Sequence, residues 1–130
     1  MGQKRRSTIV LDAGALVSFE RGDARMRALV REALRTGSTL VVPAGVVGRV
    51  WRDGARHPTL RALLRAPTTV VPPFDQVLAE AAGVLCGKTG TSDATAASVV
   101  LLARQRNAPV VTSDADGLHR LDPTLTTYAV

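Results

Sequence analysis

Cysteine is nearly absent from this 130-residue chain. The single Cys86 sits in an apolar helical stretch and has no partner for an internal disulfide, so the fold must stand on its core and a cytosolic compartment is expected. Histidine is almost as scarce. Neither His57 nor His119 has a Cys or His neighbour at metal-ligand spacing, which excludes a zinc site of that kind and leaves surface or capping roles. No apolar segment approaches the roughly 20 residues of a membrane span. Lys4-Arg5-Arg6 is followed by an apolar run that Asp12 interrupts at once, so the start of the chain is no signal peptide. Repeats, linkers and polar low-complexity runs are missing, and apolar residues make up 45%, which predicts one domain over residues 1–130. The serines lack an evident His–Asp partner, which argues against a serine triad. Gly87-Lys88-Thr89-Gly90 has some phosphate-loop letters but not their order, and it follows a helix rather than a strand.

What the chain does have is arginine. Seventeen basic residues face 11 acidic ones, a net charge of +6. Setting aside four acids that converge in the reading below leaves seven against 17, a net of +10 on the remaining surface. Such a surface can hold a polyanion while an acidic pocket holds cations, so nucleic acid is the expected partner class.

The stretch Thr91–Leu118 organises the rest. Thr91 or Ser92 is placed to cap a helix with Asp93 in its first turn, where a carboxylate suits the helix dipole. Ala97, Val100, Leu101 and Arg104 follow at helical spacing until Asn107 and Pro109 end the run. Pro109–Thr112 reads as a buried strand, and Ser113-Asp114-Ala115-Asp116-Gly117 as an acidic turn.

Earlier in the chain, Thr8–Leu11 is a β-branched strand that ends in Asp12. A helix through Leu16, Val17 and Phe19 is broken at Arg21-Gly22-Asp23. Asp23 caps a second helix with Leu29, Val30, Ala33 and Leu34 on its apolar face and Arg27, Arg31 and Arg35 along another, stopped by Gly37. Thr39–Val42 is the second strand, and Pro43 opens a helix that buries Val46, Val47, Val50 and Trp51. A short helix from Pro58 precedes a third strand, Thr68–Val71. A helix from Pro73 or Asp75 then turns Val77, Leu78, Ala81, Ala82 and Leu85 inward, and Leu125–Val130 is a short edge strand. Strands alternating with helical patterns predict an α/β fold with a mostly parallel sheet. Ligands of such sheets bind beyond the carboxyl ends of the strands, where Asp12 and Asp114 stand. The right-handed crossover rule brings Asp93 to the same edge.

Carboxylates crowded at one edge repel. Two unit charges about 4 Å apart cost about 4 kcal/mol at an effective dielectric of about 20, and a divalent cation removes that cost. Oxygen-only ligands select Mg²⁺ or Mn²⁺ over zinc. A carboxylate-held ion of this kind suits phosphodiester hydrolysis.

Ile9–Leu16, Val42-Pro43-Ala44 with Val50-Trp51, Ser92-Asp93-Ala94 through Ala103, and Val111–Asp116 together resemble, in order, the PIN domain, the metal-dependent ribonuclease fold found in VapC-type toxins. The resemblance covers nearly the whole chain. It implies an α/β/α sandwich around a roughly five-stranded parallel sheet, an RNA substrate, Mg²⁺ or Mn²⁺, a homodimer and an antitoxin partner. It carries catalytic roles onto Asp12, Asp93, Asp114 and Asp116, the first three as metal ligands, and matches Thr112 to the small hydroxyl residue beside the last strand's acid. One departure stands out: Arg49 occupies the place of the family's second acid. Arg49 can pair with a neighbouring carboxylate in the metal's place, and Asp53, one turn on and roughly 6 Å along the axis, is the candidate substitute.

Two readings follow: a metal-dependent endoribonuclease, the toxin of a toxin–antitoxin pair, or a catalytically impaired PIN-like module that binds RNA or protein. A receiver-like phosphoacceptor is disfavoured, because the chain lacks the acidic pair and strand-end lysine such a site needs. The Arg27–Arg31–Arg35 row reads as a solvated or antitoxin-facing stripe rather than an RNA track.

Overall fold

The computed structural model describes residues 7–130, and Lys4-Arg5-Arg6 lies outside them. Five short strands, β1 (Thr8–Leu11), β2 (Thr39–Val41), β3 (Thr69–Val70), β4 (Val110–Thr112) and β5 (Thr127–Ala129), form one sheet in the order β3-β2-β1-β4-β5. Every pairing is parallel. The central strands are continuous apolar runs because helices cover both faces: Val10, Leu11, Leu40, Val41, Val110 and Val111 are fully buried. On one side α1 (Ala13–Glu20) packs with α2 (Ala24–Thr36), α3 (Ala44–Val50) and α4 (Pro58–Leu64). On the other, α5 (Gln76–Thr89) packs with α6 (Ala94–Arg106) and α7 (Ala115–Leu121). The parallel five-stranded α/β architecture expected from the residue pattern is the observed one.

The order of connections fixes where a site can form. The chain leaves β1 toward β2 and β3, then returns across the sheet to β4 and β5. The direction of winding therefore reverses between β1 and β4, and a crevice opens where their carboxyl ends diverge. The register pairs Leu11 with Val111, so Asp12 and Thr112 are the next residues on either side of that crevice.

Several local expectations are corrected. The residues after β4 form a helix rather than a free turn: Asp114 is its N-cap, and Leu118 and Leu121, three apart, bury one face. Asp93 is itself the N-cap of α6, its carboxylate accepting from the Ala96 amide, so Thr91 and Ser92 lie before the helix. A carboxylate outcompetes a hydroxyl there because it adds a favourable charge–dipole term. On α2 the buried line is Met26, Val30 and Ala33, while Leu34 is exposed. On α5 the inward face is Ala82, Leu85 and Cys86, because that face meets α6; Val77 and Ala81 point to solvent. Helix α3 stops at Val50, so Trp51 is its half-buried C-cap. His57 precedes α4, donating from Nδ1 to Glu20 (2.5 Å) and accepting the Arg52 amide at Nε2 (3.1 Å). His119 donates to the Leu125 carbonyl (2.9 Å).

Helix α7 is anchored at its far end by Asp122. One carboxylate oxygen accepts from Arg104 Nε of α6 (2.8 Å), and the other accepts the Thr124 amide and hydroxyl (2.9 and 2.6 Å). The Thr124 hydroxyl, with the Arg104 guanidinium and Thr124 amide adding to it, holds the buried Asp122 carboxyl down at about 2 against the cost of burial. A depressed carboxyl favours the folded state above its unfolded pKa and loses that advantage as pH falls through its folded value. The Asp122 contribution is therefore expected to disappear between about pH 4 and pH 2. Asp122→Ala leaves Thr124 and Arg104 without their acceptor. It is expected to cost about 1–3 kcal/mol at pH 7, read by chemical denaturation, with the deficit narrowing toward pH 2.

Candidate functional site

A pocket of about 320 Å³ opens at the β1/β4 crevice, and its charged lining is Asp12, Arg49, Asp93, Asp114 and Arg120. Asp12 leaves β1 in extended backbone and caps α1, its Oδ1 accepting from the Ala15 amide at 2.9 Å. Its Oδ2 accepts a short hydrogen bond from the Thr112 hydroxyl. The fully buried Thr112 oxygen in turn accepts from the Asp114 amide at 2.8 Å. One hydroxyl thus ties the acid after β1 to the backbone of the acid after β4. Asp114 caps α7 through Oδ1 and the Gly117 amide (3.0 Å).

Two glycines make this approach possible. A Cβ on Gly14 would lie 1.8 Å from Ser113 Oγ and 2.8 Å from its Cβ, and one on Gly117 would lie 2.2 Å from Asp114 Oδ2. The start of α1 therefore touches the β4–α7 junction directly. Gly14→Ala pushes on the Ser113 backbone as well as its side chain, so rotation of the hydroxyl gives no relief. The expected result is a loss of about 1–3 kcal/mol in denaturant unfolding, although alanine is ordinarily the better helix residue.

Burial raises the Asp12 carboxyl above its ordinary value, and the nearby Asp114 charge adds to the rise; the Thr112 and Ala15 hydrogen bonds oppose it without cancelling it. Asp93 enters from α6 with different company. Its Oδ1 accepts from the Ala96 amide (3.0 Å) and from Arg49 Nη2 (2.6 Å). The two side chains of this ion pair are 42% and 50% exposed, so it is worth at most about 1 kcal/mol and opens at little cost.

Of the residues singled out in the sequence, Asp12, Asp93, Asp114 and Arg49 line the pocket, and Thr112 lies directly beneath Asp12. Asp116, exposed in the first turn of α7, and Asp53, which caps a turn at Ala55 after α3, are not among the lining residues. Arg120 and Ser113 also line the pocket, although neither is among the candidate site residues read from the sequence. The Leu118/Leu121 spacing is the available signal for Arg120, since it implies a helix that returns a side chain to the crevice. Among the described residues, no three His, Cys, Asp or Glu side chains group closely enough to hold a metal ion together. Asp12 and Asp114 lie near enough for the charge of Asp114 to be felt at Asp12, while Asp93 is engaged by Arg49.

No curated protein matches the chain. Solved structures share its fold. The one described as VapBC2 from Rickettsia felis bound to a promoter DNA fragment superposes with a TM-score of 0.68 at 14% identity, covering 95% of this chain and 98% of that one. FitAB bound to the IR36 DNA fragment gives 0.62 at 15% identity, with 93% and 94% covered. FitAcB from Neisseria gonorrhoeae gives 0.63 at 18% identity, with 92% and 96% covered. A family model described as PIN domain matches residues 9–122, which run from β1 through α7, include the pocket acids and stop short of β5. The chain belongs to the PIN domain family.

Proposed function

We propose that this protein is a metal-dependent endoribonuclease of PIN type, acting in the cytoplasm as the toxin of a toxin–antitoxin pair and working as a homodimer. The observation that carries the reading is the Asp12–Asp114 pair, joined through Thr112 and placed at the sheet's switch point. Two carboxylates and no nitrogen or sulfur ligand fit Mg²⁺ or Mn²⁺, which is commonly bound by one or two carboxylates and takes its other ligands from water and substrate phosphate. Asp12 and Asp114 would hold the ion. When bound, it supplies charge stabilisation for the phosphoryl oxygens and favours deprotonation of a water.

The chain's own residues do the positioning. Thr112 keeps the Asp12 carboxylate aimed into the pocket, and the α1 cap at Ala15 holds its other oxygen. The basic surface, +6 overall, gathers the polyanion around an acidic floor. The likeness to structures described as VapBC2 and FitAB supports the pairing with an antitoxin.

A second reading has its own observation. Arg49 already pairs with Asp93 at 2.6 Å, and no three-acid group forms among the described residues. These favour a module that binds RNA without cutting it. An RNA-cleavage assay with Mn²⁺, repeated with EDTA, separates the two. Cleavage that EDTA abolishes carries the first reading, and intact RNA under both conditions carries the second.

A further inference from the structure

The pocket's acids are only partly balanced by its own cations. Arg49 and Arg120 both line it, giving three carboxylates against two guanidinium groups, a formal charge of −1. Adding a divalent ion makes it +1, which one phosphodiester neutralises. Arg49 spends a single N–H on a single oxygen of Asp93, so the rest of its donor fork stays available without breaking the pair. Arg120, exposed on the last turn of α7, makes no hydrogen bond or ion pair among the described residues. Its helix is held at both ends, by Asp114 at the start and by Asp122 tied to Arg104 at the finish. The backbone that carries Arg120 is thus held in place at the pocket's edge. Ser92, Thr95 and Ser113, all hydroxyl-bearing, also line the pocket. Guanidinium forks with hydroxyls are the donor set that phosphate oxygens select.

We infer that Arg49 and Arg120 form a two-point clamp for the phosphate backbone of single-stranded RNA at the mouth of this pocket. The inference rests on the RNA reading above and names the residues that hold the substrate there. In this view Arg49 replaces an acid with a substrate-binding cation and leaves the Asp12–Asp114 pair to the metal.

The test measures binding of a short fluorescent single-stranded oligoribonucleotide in EDTA, across a salt series, to the wild-type chain and to Arg49→Ala, Arg120→Ala and Arg31→Ala. Arg31 is exposed on α2, outside the pocket, and its loss removes the same charge. Each clamp variant is expected to weaken binding roughly tenfold and to lower the salt slope by about 0.7. Arg31→Ala is expected to stay within about twofold, and Arg120→Lys to recover part of the loss. Arg120→Gln, which keeps the helix, guards against a folding defect, with circular dichroism as the check. Binding by Arg120→Ala and Arg120→Gln equal to wild type overturns the clamp. So does an equal loss in Arg31→Ala, which would make the effect diffuse charge. Inorganic phosphate that displaces the RNA at the RNA's own concentration would also overturn it, by making free phosphate the ligand. If Mn²⁺ cleavage is absent but the clamp variants still lose binding, the clamp stands and the nuclease falls; if cleavage is present and the variants bind as wild type does, the nuclease stands and the clamp falls.

Discussion

Asp12→Asn is expected to reduce Mn²⁺-dependent RNA cleavage by roughly 100-fold or more while leaving the fold intact. The magnitude follows from its position: displacing even the supporting partners of a metal ligand costs roughly 10–100-fold, and Asp12 is itself one of the two proposed donors. Asparagine keeps the oxygen that caps α1 at Ala15 and keeps the side-chain volume. Stability is not expected to fall with it. Burial and the Asp114 charge hold the Asp12 carboxyl above its ordinary pKa. Such a group favours the folded state while protonated and loses that advantage as pH rises through its folded value. At neutral pH the ionised carboxylate is therefore a cost that asparagine removes. Asparagine has an amide nitrogen in place of the oxygen that accepts from Thr112, which offsets part of that gain, so the melting temperature of Asp12→Asn is expected to stay at or near that of wild type at pH 7. A variant that loses cleavage because it has unfolded would instead show a lower melting temperature at pH 7.

Arg49→Glu carries the second large effect. It exchanges a cation for an anion beside Asp93, removes the 2.6 Å ion pair and adds a donor to the pocket wall. Because the site is half-exposed, loss of the pair costs no more than about 1 kcal/mol, and repulsion between the new carboxylate and Asp93 adds to it. The pocket's formal charge moves from −1 to −3, and Mn²⁺ affinity is expected to rise by roughly tenfold or more. Calorimetric titration of the metal reads this directly. Cleavage by Arg49→Glu at equal RNA occupancy is expected to match or exceed wild type. If cleavage instead appears only in Arg49→Glu, Arg49 is a plug and the binding-module reading replaces the nuclease.

Much of this molecule is legible from residue patterns, for definable reasons. The central strands are buried on both faces, so Thr8–Leu11 and Pro109–Thr112 read as apolar runs whichever way they pack, and topology alone places the acids at their ends. Glycine stops such as Gly37, observed in the left-handed conformation, mark helix ends through backbone sterics rather than context. What stays hidden depends on tertiary contact. Val77 and Ala81 have the spacing of a buried face, but which face of α5 is buried is decided by where α6 lies. The Ser113–Gly117 segment has the composition of a turn, and it becomes helical from Ala115 on because Leu118 and Leu121 find the core. The close approach of Gly14 to Ser113 joins residues 99 positions apart, which no local pattern encodes. From sequence the Arg49–Asp93 pair is only one of several outcomes, because it needs α3 and α6, from the two helical layers, to meet beyond the sheet.

The buried Thr112 hydroxyl links the Asp12 carboxylate to the Asp114 backbone, and the fold tolerates the repulsion between the two acids. That tolerance has a use if a divalent cation shares them. Isothermal titration of the full chain with Mn²⁺ at neutral pH tests this most directly. One saturable binding event in the wild-type chain, lost in Asp12→Asn, is the expected result; absence of binding in the wild type, or the same binding isotherm in Asp12→Asn, would contradict it.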